Sequence, residues 1–319
     1  MMDKKNVAYL FPGQGAQYSG MAMDLLASNA VKSLFDTASQ ILGKDVKELL
    51  QSDADTLKRT DVSQPAMTAA SLAAVAFLGE QGFSPAACAG FSLGEYSALV
   101  CAGIIDTADC FRLIKARGEA MQKASDSLRS AGGDSAPGMA AVVGLAPEQV
   151  EELIAKWSAE GLKDLYAANI NSPKQLVVSG TFSALNEAET RFKTAGAKRV
   201  IRLQVAGPFH SPLIASAVED FRPVLESVTF HDPSIAIFSN VTGKKISSGE
   251  EAKKLALAQI TSPVRWVDEE AAVADCGIEA CLEVGPGKVL QGLWKDSGSE
   301  IPVFAAGTAE DIPKIGNNQ

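Results

Sequence analysis

The chain has 319 residues, 46% of them hydrophobic, and a net charge of −9. That length and composition bury a large core, enough for one elaborate α/β domain or a large domain with a smaller companion. The acidic balance argues against nucleic acid or an anionic membrane as partner, since either favours a broad basic surface.

In chain order, Val7 to Phe11 reads as a short buried strand, too short to be a signal peptide or a membrane span, so a cytoplasmic protein is expected. A glycine-rich turn, Pro12-Gly13-Gln14-Gly15-Ala16-Gln17, follows, and then helical patterns from about Met21 to Leu50. Pro65 reads as the first turn of an alanine-rich helix running to Gly82. Residues 86–89 form the next strand, Leu93 to Ala102 is helical again, and a further helix spans about Thr107 to Ser127. Alternating strands and helices predict a largely parallel sheet. The small and polar run from Arg129 to Gly138 reads as a linker.

Beyond it the rhythm changes to β-α-β-β-α-β: strands at Met139 to Val143, Leu165 to Ile170, Gln175 to Ser179 and Arg199 to Val205, with helices over Pro147 to Glu160 and Phe182 to Ala195. That order matches a ferredoxin-like motif. The expected organisation is therefore a large α/β subdomain of residues 1–136 and 206–319, interrupted by a small subdomain of residues 137–205. The main pattern resumes with a helix from Pro212 to Val228 and strands near Ile235 to Ser239, Ala280 to Val284 and Pro302 to Ala305.

Gly90-Phe91-Ser92-Leu93-Gly94 places a serine between two glycines where an apolar run meets a helical pattern, the layout of a nucleophile elbow. A serine nucleophile needs a base, and the chain offers only His210 and His231. His210 follows a predicted strand and precedes a helix, where α/β proteins place ligands, whereas His231 has the surroundings of a turn residue. Arg117 falls on one helical face with Cys110, Leu113, Ile114 and Met121, so a cation interrupts an apolar stripe. It either forms a salt bridge, to Glu95 for example, or awaits the carboxylate of a ligand. The Gly13-Gln14-Gly15 turn is suited to an oxyanion, and neither it nor Gly285-Pro286-Gly287-Lys288 has the spacing of a nucleotide-binding loop. Five cysteines without any Cys-x-x-Cys pair read as reduced, buried thiols rather than a zinc site.

Six segments, Phe11 to Gln17, Gly90 to Tyr96, Arg117 with Met121-Gln122, Asn169 to Pro173, Gly207 to Ser211 and Glu283 to Gly287, together resemble the malonyl-CoA:acyl carrier protein transacylases of bacterial fatty acid synthesis. The likeness covers nearly the whole chain in the same order. It implies an α/β-hydrolase-like core with a ferredoxin-like small subdomain, and a ping-pong transfer of malonyl from coenzyme A to the phosphopantetheine thiol of acyl carrier protein, with no metal or other cofactor. By the same resemblance Ser92 is the nucleophile and His210 the base, the amides of Gln14 and Leu93 form the oxyanion hole, and the main-chain carbonyl of Gln259 orients the histidine. Arg117 would pair with the malonyl carboxylate, Phe209 and Met121 would line the acyl pocket, and Asn169 would border it, as would Asn171. Lys193, Lys198, Arg199 and Arg202 are candidates for a basic rim that meets the carrier protein. Phe91 departs from the resemblance, because the family often has histidine before the nucleophile. A serine hydrolase and a non-catalytic carrier-protein scaffold are the competing functions; Arg117 argues against the first, and the presence of both Ser92 and His210 against the second.

Overall fold

The computed structural model describes residues 2–132 and 136–316. Its first strand, β1 (Val7–Phe11), is apolar at every position and buried at every position, as a central parallel strand covered on both faces requires. It is flanked by β2 (Pro85–Gly90) on one side and β8 (Ala280–Glu283) on the other, with the two-residue β7 (Ala236–Ile237) and β9 (Val303–Ala305) at the edges. All the pairings in this five-stranded sheet are parallel. The register sets Phe11 beside Gly90, so the turns after β1 and β2 emerge side by side at the carboxyl end of the sheet, where open α/β folds bind ligands. The small residues of β2 let α4 (Gly94–Cys101) pack close against it.

The second sheet has β3 (Gly138–Val143) and β5 (Gln175–Gly180) at its centre, β4 (Leu165–Ser172) and β6 (Arg199–Arg202) at its edges, and is antiparallel throughout. With α6 (Pro147–Ala159) and α7 (Phe182–Thr194) it builds the ferredoxin-like order. These elements enclose their own apolar cluster, around Val142, Leu176, Val178 and Phe192. The larger core is built around α3 (Thr60–Glu80) and α5 (Thr107–Gly132), which pack on each other. Among the described residues α3 alone is long and apolar enough to cross a membrane, yet 78% of that stretch is buried within the protein, as befits a core helix.

Several boundaries differ from those expected. The Met21 to Leu50 region divides into a short 3₁₀ turn, α1 (Asn29–Leu42) and α2 (Val46–Leu50), because Gly43 adopts φ 69° and closes α1 with a left-handed cap. Pro65 lies inside α3 rather than in its first turn. The preceding turn is held by tertiary contacts, including the Thr60 N–H donating to Gln122 Oε1 at 3.0 Å, so the helix begins earlier than propensity alone suggests. The run read as a linker from Arg129 continues α5 to Gly132, there being no proline before Pro137 to stop it; the rest of that reading, over 133–135, lies outside the described residues. The strand read to Val205 ends at Arg202, and the helix from Pro212 is a 3₁₀ turn followed by α8 (Ser216–Ser227). Cys276 is exposed, against the expectation of uniformly buried thiols, because it follows the last turn of α10 (Trp266–Ala274) on the surface.

Candidate active site

Ser92 sits at the turn between β2 and α4 with φ 51°, a left-handed conformation that costs a non-glycine residue about 1–3 kcal/mol. The flanking glycines make that turn possible. A Cβ on Gly90 would lie 2.1 Å from the Gly94 carbonyl carbon, and one on Gly94 would lie 2.2 Å from Phe11 O. Neither position has room for a side chain, so the sharp strand-to-helix connection requires glycine twice.

His210 lies beyond β6, also at positive φ, 55°, and is 4% exposed. Its Nε2 is 2.9 Å from Ser92 Oγ. Its Nδ1 is 3.0 Å from Gln259 O and 3.2 Å from Ser262 O. Carbonyl oxygens only accept, so Nδ1 carries the proton and Nε2 of the neutral ring faces the serine as an acceptor. Burial, reinforced by the Arg117 cation, pushes the imidazole down to about 4. At neutral pH the ring is therefore unprotonated, the state a general base needs. His231 stands on the surface, its main-chain N–H donating to Ile104 O.

Arg117, on α5, is 1% exposed, and its guanidinium reaches the same serine: Nη2 is 3.2 Å from Ser92 Oγ. Nη1 donates to Gln64 Oε1 at 2.6 Å and Nη2 to Gln259 Oε1 at 2.9 Å, while the cation lies 5.5 Å from the Tyr96 ring centroid. Nε has no hydrogen-bond partner, and among the described residues no carboxylate is within salt-bridge distance. Glu95, the salt-bridge partner considered above, instead accepts the Asn240 N–H at 2.8 Å. Burial raises its carboxyl to about 7, the opposite of what a direct guanidinium contact produces. Arg117 is thus a buried cation held by neutral groups; Nη2 spends both its hydrogens on Ser92 and Gln259, while the Nε–H and one Nη1 hydrogen are left without a partner among the described residues.

These three residues line a cavity of about 90 Å³ together with Gln14, Leu93, Met121, Asn169 and Phe209. The residues singled out as substrate-lining or oxyanion-binding are therefore brought to one place, Asn171 excepted. Among the described residues the main-chain N–H groups of Gln14 and Leu93 have no acceptor, whereas the Ser92 N–H is taken by Asn240 Oδ1 at 2.7 Å. Asn171 does not line the cavity; its amide donates to Gln175 Oε1 at the β4–β5 turn. Phe91 borders the cavity and packs on Trp266, ring centroids 5.5 Å apart, and its ring would meet any Cβ on Gly13 at 2.9 Å. A larger cleft of about 380 Å³ adjoins it at Val205 and is lined by Lys58, Arg59 and Arg129 as well as Asp55 and Asp126. Lys193 and Arg202 are engaged by Glu189 and Asn186, and Arg202 also lies over the Phe182 ring, so of the proposed rim Lys198 and Arg199 are the uncommitted cations. No group of three His, Cys, Asp or Glu among the described residues is arranged to hold a metal.

The acyl transferase domain model matches residues 8–316. A malonyl CoA-acyl carrier protein transacylase of Bacillus subtilis is 36% identical over 96% of this chain and 95% of its own length. One from Escherichia coli K12 is 40% identical over 90% and 91%. This chain belongs to the malonyl-CoA:acyl carrier protein transacylase family. Solved structures of the family superpose throughout: a type II PKS acyl-carrier protein complex with its malonyl-transacylase supplies a chain at TM-score 0.89 and 36% identity, covering 98% of this chain and all of that one. An acyl carrier protein S-malonyltransferase of Vibrio cholerae matches at TM-score 0.88 and 35% identity, with coverage of 98% and 100%.

The transacylase site also contains residues that the sequence did not single out. Gln64, Asn240 and Ser262 each bond directly to Arg117, Ser92 or His210. Gln64 is one of several buried polar residues on α3, so nothing in the pattern of that helix distinguishes it from Thr60, Ser63, Thr68 or Ser71. Ser262 contributes only a main-chain carbonyl and leaves no mark on side-chain pattern.

Proposed function

We propose that the chain transfers a malonyl group from coenzyme A to the phosphopantetheine thiol of acyl carrier protein in two steps through malonyl-Ser92. His210 Nε2 takes the Ser92 proton as Oγ attacks the thioester carbonyl, and the amides of Gln14 and Leu93 hold the oxyanion. Collapse of the tetrahedral intermediate breaks the C–S bond, and His210 returns the proton to the departing coenzyme A thiolate. In the second step the carrier-protein thiol gives its proton to His210, attacks the serine ester, and Ser92 recovers its proton as it leaves.

The observation that carries this reading is Arg117: a buried cation without a carboxylate partner, 3.2 Å from the reactive oxygen. Its unused N–H groups suit the free carboxylate of a malonyl group, and an acyl group lacking that carboxylate leaves the cation unpaired. Gln259 serves as the residue that orients the histidine, through its carbonyl, and Phe209 and Met121 shape the acyl pocket, with Asn169 at its border. The cleft lined by Lys58, Arg59 and Arg129 provides the path of the pantetheine arm, and Lys198 and Arg199 belong to the surface that meets an acidic carrier protein. Residues 137–205 act as a separate small subdomain over this site, and the reaction takes place in the cytoplasm.

Mixing the protein with malonyl-CoA and following intact mass tests the proposal. A malonyl adduct confined to Ser92 that is discharged by holo acyl carrier protein is the expected result. Prompt release of free malonate without carrier protein would instead make the chain a hydrolase.

A further inference from the structure

Asn240 lies three residues beyond β7, which pairs with β2, so the topology brings it to the same end of the sheet as Ser92 although 148 residues separate them. Its side chain is fully buried and uses all four of its hydrogen-bonding positions. Oδ1 accepts from the Ser92 N–H at 2.7 Å and from Gln259 Nε2 at 3.2 Å. Nδ2 donates to Gly90 O at 2.6 Å and to Glu269 Oε1 at 2.8 Å. A main-chain N–H can only donate and a main-chain carbonyl only accept, so the amide has a single possible orientation. Its own main chain is fixed as well, the N–H by Glu95 and the carbonyl by the Arg265 N–H.

Two consequences bear on the reactive serine. The amide bridges Gly90 and Ser92, the residues between which the chain enters its left-handed turn, and so holds the strained elbow from behind. It also occupies the Ser92 N–H, which leaves the Leu93 N–H as the elbow's free donor. Through Gln259, whose Nε2 also donates to Ser92 O at 3.1 Å and whose Oε1 receives Arg117, the same amide is linked to the cation.

We propose that Asn240 is a positioning residue for the transfer reaction: its carboxamide clamps the nucleophile elbow in the geometry that presents Ser92 Oγ to His210. The role rests on the assignment of Ser92 as the nucleophile. It acts on the serine rather than on the malonyl carboxylate, and this sets the test.

Single-turnover acylation of Ser92 is measured with malonyl-CoA and, separately, with a neutral alkyl fluorophosphonate, on the full chain at a temperature where near-UV circular dichroism shows every variant folded. Asn240→Ala is expected to slow both reactions together by about 100-fold, the scale on which small misplacements cost rate, with little change in KM for malonyl-CoA. Arg117→Ala, by contrast, is expected to slow the malonyl reaction selectively. In the paired variant Asn240→Asp with Glu269→Gln, the oxygen that accepts from Ser92 remains, and the second oxygen, kept protonated by the burial that already raises the Glu269 carboxyl well above its ordinary value, donates to Gly90 O; a glutamine N–H faces it across the Glu269 contact, and the number of buried carboxyl groups is unchanged. It is expected to come within about 10-fold of the parent.

A folded Asn240→Ala protein that reacts with the fluorophosphonate at the parental rate overturns the proposal, and so does a folded paired variant no faster than Asn240→Ala. Should Asn240→Ala not fold, the paired variant decides alone, and a folded form more than about 100-fold slower than the parent refutes the clamp. A parent labelled by the fluorophosphonate but not by malonyl-CoA would refute malonyl transfer instead, leaving the comparison of variants on the neutral probe intact.

Discussion

Replacing Arg117 with alanine should separate recognition of the acyl group from the chemistry at Ser92. In the parent, the guanidinium has Gln64, Gln259 and Ser92 as its hydrogen-bond partners and a partnerless Nε, so a malonyl carboxylate entering the cavity finds a cation already in place. Without it, that carboxylate is buried unpaired, a loss of about 3–5 kcal/mol, or roughly 10²- to 10⁴-fold in kcat/KM for malonyl-CoA. Acetyl-CoA makes no such contact and loses only the neighbouring charge, so its rate should change by less than about 10-fold and the preference between the two should collapse. The same variant carries a second readout. Burial is the larger cause of the lowered His210 value and the Arg117 cation the next, so removing the cation should move the acid limb of the acylation rate upward from about 4 without bringing it to the ordinary 6.5. Stopped-flow mixing with each thioester from pH 4 to 8, read by intact mass, measures both. An unchanged malonyl-to-acetyl ratio in the folded variant would refute the carboxylate assignment, and a collapsed ratio with an unmoved acid limb would refute the electrostatic coupling.

Stability should also depend on pH through His210. Because its folded value lies below its unfolded one, the unfolded chain binds the proton more readily; the contribution is intact above about 6.5 and is lost as pH falls toward 4, on the order of 3 kcal/mol in all. Urea unfolding of the parent and of His210→Gln at pH 7 and pH 5 should show the larger acid loss in the parent; equal losses would exclude it. Glu95, raised to about 7 by burial, acts in the opposite sense: its contribution is present below its ordinary 4.5 and disappears as pH rises through 7, so Glu95→Gln should flatten the alkaline side of the stability curve. Gly94→Ala must displace Phe11 O or unwind the elbow, and should cost at least about 1–3 kcal/mol by thermal denaturation together with most of the acylation rate; a stable, active variant would contradict the contact. Charge reversal at Lys198 and Arg199 should raise the apparent KM for carrier protein while leaving acylation by malonyl-CoA unaltered, and an unchanged KM would remove these residues from the docking surface.

How much of this could be read from sequence depended on how local each signal was. The elbow is a contiguous pentapeptide, and the five-stranded sheet's central strands announce themselves as short apolar runs between glycine-containing turns. Arg117 was visible because a cation breaks a helical stripe whose other members are buried. Asn240 had no such contrast: it lies in a polar turn, and its importance arises only when parallel pairing brings β7 beside β2. Helices α9 (Gly249–Ala258) and α11 (Val289–Asp296) carry no stronger signal: both are short, α9 is rich in alanine, lysine and glutamate and α11 has Gly292 within it, so tertiary packing chooses among conformations. Pro65 was misleading for the reverse reason, since a strong local preference was overruled by the Gln122 side chain holding the turn before it.

Among the described residues only four non-glycine positions have positive φ, and two of them are Ser92 and His210. Glycine would accept either backbone conformation more easily, so the two positions pull folding and function in opposite directions. A programme of thermostabilisation that ranked variants by melting temperature alone would therefore tend to select glycine at both, and would reward loss of the serine and the histidine as improvement. Any such selection on this protein needs acyl transfer, and not merely survival of the fold, as its criterion.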